Sequence, residues 1–397
     1  MTQVSERLNR LSESATLAMA RKTRELKAEG KNIIGLSLGE PDFNTPDFIK
    51  DAAKEGIDQN YTSYTPVEGY ADLKEAVINK FKRDNGLVYG MDQIVVSTGA
   101  KQSIANVMLS LVNPGDEVIV PAPYWVTYEE IVKLAEGTPV VIETSIDNDF
   151  KITAKELEEA ITPKTKLMIF SSPCNPTGSL YSKEELRALA DVIVKHPDLI
   201  VISDEIYEHI NFVGKHQSLA QFNDVFDQVV TVNGLSKAFA MTGWRLGYIG
   251  APSWIAKACI KMQGQVTSGT CSIAQRAAIA ALNADPSVTH EMRDAFKRRR
   301  DFVLTELNKM EGVNINVPEG AFYVFPDVSS FFGKSNGDTK IQNADDLTMY
   351  LLMEAEVATV TGNAFGNKNC IRISYAASDE ELKEAMQRID KALSKLK

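Results

Sequence analysis

Cysteine is scarce: Cys174, Cys259, Cys271 and Cys370 are the only four in 397 residues. They are scattered, with no Cys-x-x-Cys pair, so neither a zinc site nor a disulfide framework is suggested and a reducing cytoplasm fits best. The chain contains no Gly-x-Gly, which removes the dinucleotide fingerprint, and it has no Walker loop and no His-Glu-x-x-His metal motif. Uninterrupted apolar runs of about 18 residues are missing, so no spanning helix is expected. The N-terminal stretch mixes Glu6, Arg7, Arg10, Glu13, Arg21, Lys22, Arg24 and Glu25 with apolar positions, unlike a signal peptide, and its acids argue against a transit peptide. Basic charge is in deficit: 43 Lys and Arg against 53 Asp and Glu leave a formal charge of −10. A general attraction to nucleic acid or to anionic lipid is therefore excluded, and any anionic ligand must be drawn by a local site.

What is present is ordinary for a globular enzyme, with 44% apolar and 24% charged residues. The length exceeds what one core sustains and predicts two or three domains. From about residue 90, short β-rich runs alternate with longer helical patterns, as in an α/β fold with a mostly parallel sheet. The strands read as Ile94–Ser97, Val118–Val120, Leu167–Phe170, Leu199–Ile202, Val229–Val232 and Leu246–Ile249, several apolar on both faces. Past about residue 288 the pattern changes to a charged helix through Arg298-Arg299-Arg300, short strands such as Ile371–Tyr375, and a final charged helix. The expected division is a large domain over 46–288 and a smaller α+β domain from 289–397 together with 1–45, the latter broken by Pro41 and Pro46.

Loops at the carboxyl ends of parallel strands are where such folds place ligands. The most informative one follows Val229–Val232 and runs Asn233-Gly234-Leu235-Ser236-Lys237, ending at Thr242-Gly243-Trp244-Arg245. At a buried strand end, desolvation lowers a lysine's pKa and frees its amine to condense with a carbonyl; a lone lysine otherwise snorkels to the surface. Ser236 and Arg245 flank Lys237 with a hydroxyl and a guanidinium suited to a phosphate. The three together suit an aldehyde cofactor that carries a phosphate.

Asp204, in Ser203-Asp204-Glu205-Ile206-Tyr207, emerges from an apolar strand where an unpaired carboxylate is costly. A protonated pyridine nitrogen is one partner for it, and a helix N-cap or a Mg²⁺ ligand is the other reading. Asn175 and Tyr207 suit a phenolate oxygen, although Asn175-Pro176-Thr177-Gly178 alone is only a turn signal. Thr98-Gly99-Ala100-Lys101 opens a helix and offers N–H groups to a phosphate. Trp125 suits stacking on a flat ring or a place in the core. Arg372 faces away from Ile371 and Ile373 and either is solvated or clamps a carboxylate.

With these segments in this order, the chain resembles the class I aminotransferases of the fold-type I pyridoxal-phosphate superfamily, and within them the bacterial aspartate aminotransferase subgroup. The resemblance covers nearly the whole chain and rests most on Ser236–Arg245, Ser203–Tyr207, Asn175–Gly178 and Ile371–Ser374. It implies a seven-stranded sheet in the large domain and pyridoxal 5′-phosphate as cofactor. Lys237 becomes the Schiff-base lysine and the acid/base, Asp204 the partner of the pyridine nitrogen, and Asn175 and Tyr207 the holders of the phenolic oxygen. Trp125 covers the ring, while Gly99, Ala100, Ser236 and Arg245 cradle the phosphate. Tyr64 resembles a tyrosine offered across a homodimer interface to the neighbouring phosphate. Arg372 binds the substrate α-carboxylate and Gly39 meets it through its backbone.

No arginine lies between Lys261 and Arg276, where animal-type relatives carry one for the distal carboxylate. In the subgroup resembled here a lysine at the position of Lys101 takes that duty, so amino transfer between L-aspartate and 2-oxoglutarate by ping-pong kinetics is implied. The other reading of Lys101 is a cofactor or surface charge. Alternatives with the same machinery are a prephenate, aromatic or alanine aminotransferase, a dual aspartate/prephenate enzyme, and a β-lyase. A silent regulator of this fold would carry an additional DNA-binding domain, for which the chain has no spare length, and no metal is called for.

Overall fold

The computed structural model describes residues 4–397. Strand β1 (Ile34–Gly35) precedes a seven-stranded sheet formed by β2 (Ile94–Ser97), β3 (Glu117–Ala122), β4 (Thr138–Glu143), β5 (Thr165–Ser171), β6 (Ile200–Asp204), β7 (Val229–Gly234) and β8 (Gly247–Gly250). The order across the sheet is β2-β8-β7-β6-β5-β3-β4, and only β8 runs antiparallel to its neighbours. The carboxyl ends of the other six therefore open on one edge.

Strand alternation explains why these runs are apolar on both faces. Val95, Val120, Ile169, Ile202, Val232 and Ile249 face one core, packed by Ala100–Leu111, Thr127–Leu134 and Ser253–Val266. Val96, Ile119, Met168, Val201 and Val229 face the other, packed by Asp47–Asp58, Ala71–Lys80, Lys183–Ile193 and Ser272–Asn283. The helix Lys183–Ile193 shows the local logic. Ser182 caps it through a reciprocal box with Glu185, and Leu186, Leu189 and Ile193 recur at helical spacing and are fully buried. Each of these side chains contributes roughly 1.5–3 kcal/mol by leaving water.

A second core gathers the end of the chain with its beginning. Strand β1 pairs in parallel with Val357–Ala358, and the amide of Ser374 donates to Leu36 O at 3.0 Å. Ile371–Ser374 lies between Val360–Thr361 and Tyr323–Val324, with the helices His290–Leu307, Ala344–Glu354 and Asp379–Leu393 around it. The charged run on the first of these helices is only partly a solvated face. Arg299 is buried and binds both carboxylate oxygens of Asp42 at 2.7 and 2.8 Å, holding the segment after Gly39 against the C-terminal core. No helix among the described residues is long and apolar enough to cross a membrane.

Candidate active site

The strand ends build a cavity of about 290 Å³. Ala100 and Lys101 reach it from the helix after β2, Trp125 from beyond β3, Asn175 from beyond β5, Asp204 from the end of β6 and Tyr207 from just beyond it, Ser236 and Lys237 from beyond β7, and Arg245 from just before β8. Gly39 and Arg372 enter from the second core. Gly99 stands beside the cavity with φ +84°, and a Cβ there would lie 2.5 Å from Arg245 Nη2, so only glycine leaves room for the guanidinium. Tyr64 is 99% exposed and stands outside this group.

Lys237 is half-buried, with its amine turned into the cavity, where Nζ donates to Gly39 O at 2.6 Å. Desolvation, aided by Arg372 and Arg245, pushes its pKa down to about 8 against the opposing pull of Glu40. Asp204 is buried. Tyr128 Oη donates to its Oδ2 at 2.7 Å and the Ile206 amide to its Oδ1 at 3.2 Å, yet desolvation prevails and its pKa is pushed up to about 6.

Arg372 is 2% exposed, so the solvated reading of this side chain fails. Its Nη1 donates to Asn175 Oδ1 at 2.9 Å and its Nη2 to Ser37 O at 2.5 Å, while Nε has no partner. The guanidinium lies between the rings of Tyr323 and Phe365, 4.6 and 4.8 Å from their centroids. Lys101 Nζ stands 4.9 Å from the centre of the Trp125 ring. More than a third of the Lys101 residue is open to solvent, yet its ammonium lies far enough in that desolvation, with Arg245 nearby, lowers its pKa.

A buried nucleophilic amine, a carboxylate and a guanidinium thus share one cavity at the carboxyl edge of an α/β sheet. The family model for class I and II aminotransferases matches residues 31–389. The chain belongs to that family. An aspartate/prephenate aminotransferase of Nitrosomonas europaea is 48% identical to it over 99% of this chain and 100% of the relative. The solved aspartate aminotransferase of Rhizobium meliloti superposes with a TM-score of 0.97 at 42% identity, covering 100% of both chains. That of Thermus thermophilus, solved with maleate, gives 0.93 at 39% identity over 99% of this chain and 100% of the other.

In this aminotransferase several lining residues escape a sequence reading. Ser14, Thr16 and Leu17 reach the cavity from the start of the helix Ala15–Ala28. Tyr128 follows Trp125 by three positions, one helical turn, and Tyr323 faces the cavity across the ladder from Ser374. No local motif marks them; the turn spacing from Trp125 was the one available signal, for Tyr128.

The second acid of the Asp204-Glu205 pair serves a different purpose. Alternation turns Glu205 to the opposite face of β6, where Ser203 Oγ and Ser218 Oγ donate to it at 2.9 and 2.7 Å and His216 Nε2 lies 2.9 Å away. Nearby, Glu208 is buried with the Lys80 ammonium against it and is held well below the usual carboxylate range by that charge and by His209. These acids are paired internally and leave Asp204 as the one that faces the cavity.

Proposed function

We propose that this aminotransferase moves the amino group between L-aspartate and 2-oxoglutarate, forming oxaloacetate and L-glutamate, with pyridoxal 5′-phosphate held in the cavity. One observation carries the reading. Two buried charges share the cavity with Lys237, and neither forms an ion pair among the described residues: Asp204 lacks a cation and Arg372 lacks a carboxylate. A protonated pyridine nitrogen and a substrate α-carboxylate meet those two needs.

The remaining residues fit the same ligand. Trp125 offers its face to the ring, Asn175 and Tyr207 an amide and a hydroxyl to the phenolic oxygen. Gly99, Ala100, Ser236 and Arg245 offer the phosphate two backbone positions at a helix start, a hydroxyl and a guanidinium. When bound, the cofactor supplies a carbonyl that condenses with amines and a conjugated ring that takes up the electron pair left at the substrate's Cα. Lys237 Nζ, whose hold on a proton desolvation weakens, would take the proton from the substrate's Cα and deliver it to the cofactor's C4′ carbon, and move it the other way in the second half-reaction. Arg372 fixes the α-carboxylate and so points the Cα–H bond, and Gly39 meets the same end of the substrate through its backbone. Closure of a small domain (1–45 and 289–397) on a large one (46–288) excludes water from the site.

The aspartate preference rests on Lys101, which offers the distal carboxylate an ammonium, with Ser14 and Thr16 lining the same cavity. Maleate, bound in the Thermus thermophilus relative, is a four-carbon dicarboxylate, which supports this choice. The Nitrosomonas europaea relative is named for prephenate as well, and prephenate is the second amino-group partner we propose. We further propose a homodimer in which Tyr64 of the partner subunit reaches the phosphate: an open cleft lined by Thr98, Trp244, Arg245 and Thr270 adjoins the cradle. Four cysteines without disulfides fit a cytoplasmic setting.

The test is an absorption cycle. The aldehyde-form band of the reconstituted protein should vanish on adding L-aspartate and return with 2-oxoglutarate. A cofactor band indifferent to aspartate would move the assignment to prephenate or aromatic substrates. Lys101→Ala should lower kcat/KM for aspartate by about 10- to 150-fold, the worth of one charge-assisted hydrogen bond, and leave L-alanine turnover unchanged. Equal losses for both substrates would remove Lys101 from the specificity site.

A further inference from the structure

Tyr323 is nearly fully buried, and three separate elements of the site meet on it. Its hydroxyl shares a 2.9 Å hydrogen bond with the hydroxyl of Tyr207. Its ring carries the Arg372 guanidinium at 4.6 Å. A Cβ placed on Gly39 would come within 1.9 Å of Tyr323 Oη and 3.0 Å of Cζ, so the Gly39 backbone already rests against this hydroxyl. Gly39 has no need of glycine's backbone freedom, since its φ is not in the left-handed region. What first excludes a side chain there is Tyr323, which supplies the three atoms nearest to that Cβ, its hydroxyl foremost. The carbonyl of the same glycine holds Lys237 Nζ at 2.6 Å.

We propose that Tyr323 is a positioning residue of the transamination, its hydroxyl acting as the stop that sets how closely the Gly39 segment approaches Lys237 and as the brace that orients the Tyr207 hydroxyl. The inference rests on the aminotransferase reading above. The hydroxyl, which serves as stop and brace, is chemically separable from the ring. Tyr323→Phe keeps the ring beneath Arg372 and deletes both the stop and the brace, whereas Tyr323→Leu deletes the ring as well.

The decisive comparison is a double-mutant cycle with Gly39→Ala, measured in two ways: kcat and KM for aspartate in the reconstituted enzyme, and the melting temperature of the cofactor-free protein. Gly39→Ala alone should displace the segment by about an ångström and lose on the order of 100-fold in kcat/KM. Tyr323→Phe alone should lose about fivefold, mainly in kcat, the worth of one ordinary hydrogen bond. In the Tyr323→Phe background the alanine should cost about tenfold or less, and the melting temperature lost to Gly39→Ala should be largely recovered. Tyr323→Leu should instead raise KM for aspartate through Arg372. Identical penalties for Gly39→Ala in both backgrounds, in activity and in melting temperature, would overturn the proposal. A wild-type enzyme that fails the aspartate cycle would overturn the underlying functional reading instead, while the coupling in melting temperature of the cofactor-free protein would still report on the contact itself.

Discussion

Lys237→Ala is expected to abolish transamination while leaving the cofactor-free protein folded. A positioned acid/base alone is worth about 10²–10⁴-fold, and the same amine also serves as the nucleophile toward the cofactor. The loss in kcat/KM for aspartate should therefore be at least about 10⁴-fold. Stability should move differently. The folded-state pKa of Lys237 is pushed down to about 8 from 10.5, so the buried ammonium is a burden that is fully present below pH 8 and fades as the pH rises from 8 toward 10.5. Below pH 8 its removal relieves on the order of 3 kcal/mol, set against the contacts and the Gly39 hydrogen bond that go with it. Urea denaturation of the cofactor-free proteins at pH 7 and pH 10 checks the sign: the variant should gain on wild type at the lower pH and lose that gain at the higher. Substantial residual transamination would sink the role assigned to Lys237.

Asp204→Asn should show the same division between function and stability, with the opposite pH course. The carboxyl has its pKa pushed up to about 6 from 3.8, so below pH 3.8 it is neutral folded or unfolded and carries no penalty. Between 3.8 and 6 the unfolded chain ionises first, and above pH 6 the folded state bears the full cost, on the order of 3 kcal/mol. The cofactor-free Asn variant should therefore be more stable than wild type at pH 8 by up to about that amount, and equal to it near pH 4. Activity should fall by about 10²–10³-fold or more, because a neutral amide cannot balance a protonated ring nitrogen in a dry site. A variant that is both less stable at pH 8 and fully active would contradict the assignment of Asp204.

The same physics decides what could be read from the chain beforehand. Strands β5, β6 and β7 announced themselves because both faces are buried, so their runs are apolar without interruption and the loops that follow them stand out. Lys237, Asp204 and Asn175 are all found in those loops or at those strand ends. The direction of β8 was not legible, since an apolar run carries no sign of its orientation. Arg372 stayed ambiguous for a related reason: alternation assigns a face but not what covers it, and the covering rings of Tyr323 and Phe365 come from other segments. Tyr323 itself sits in a short strand with no motif, and its partners Tyr207 and Gly39 lie far away along the chain. Ser14, Thr16 and Leu17 belong to a helix that looks like any amphipathic N-terminal segment until the fold brings its start to the cavity.

Asp204 and Glu205 leave β6 on opposite faces, one toward the cavity and one toward Ser218 and His216. Deleting one residue from Ile200–Ser203 would exchange them, turning the longer acid into the ligand space and burying the shorter one among partners it cannot reach. The length of the strand is therefore fixed by the two acids at its end. Over evolutionary time, insertions and deletions in this protein should collect in the loops beyond the strand ends, while the spacing from Ile200 to Glu205 is inherited unaltered.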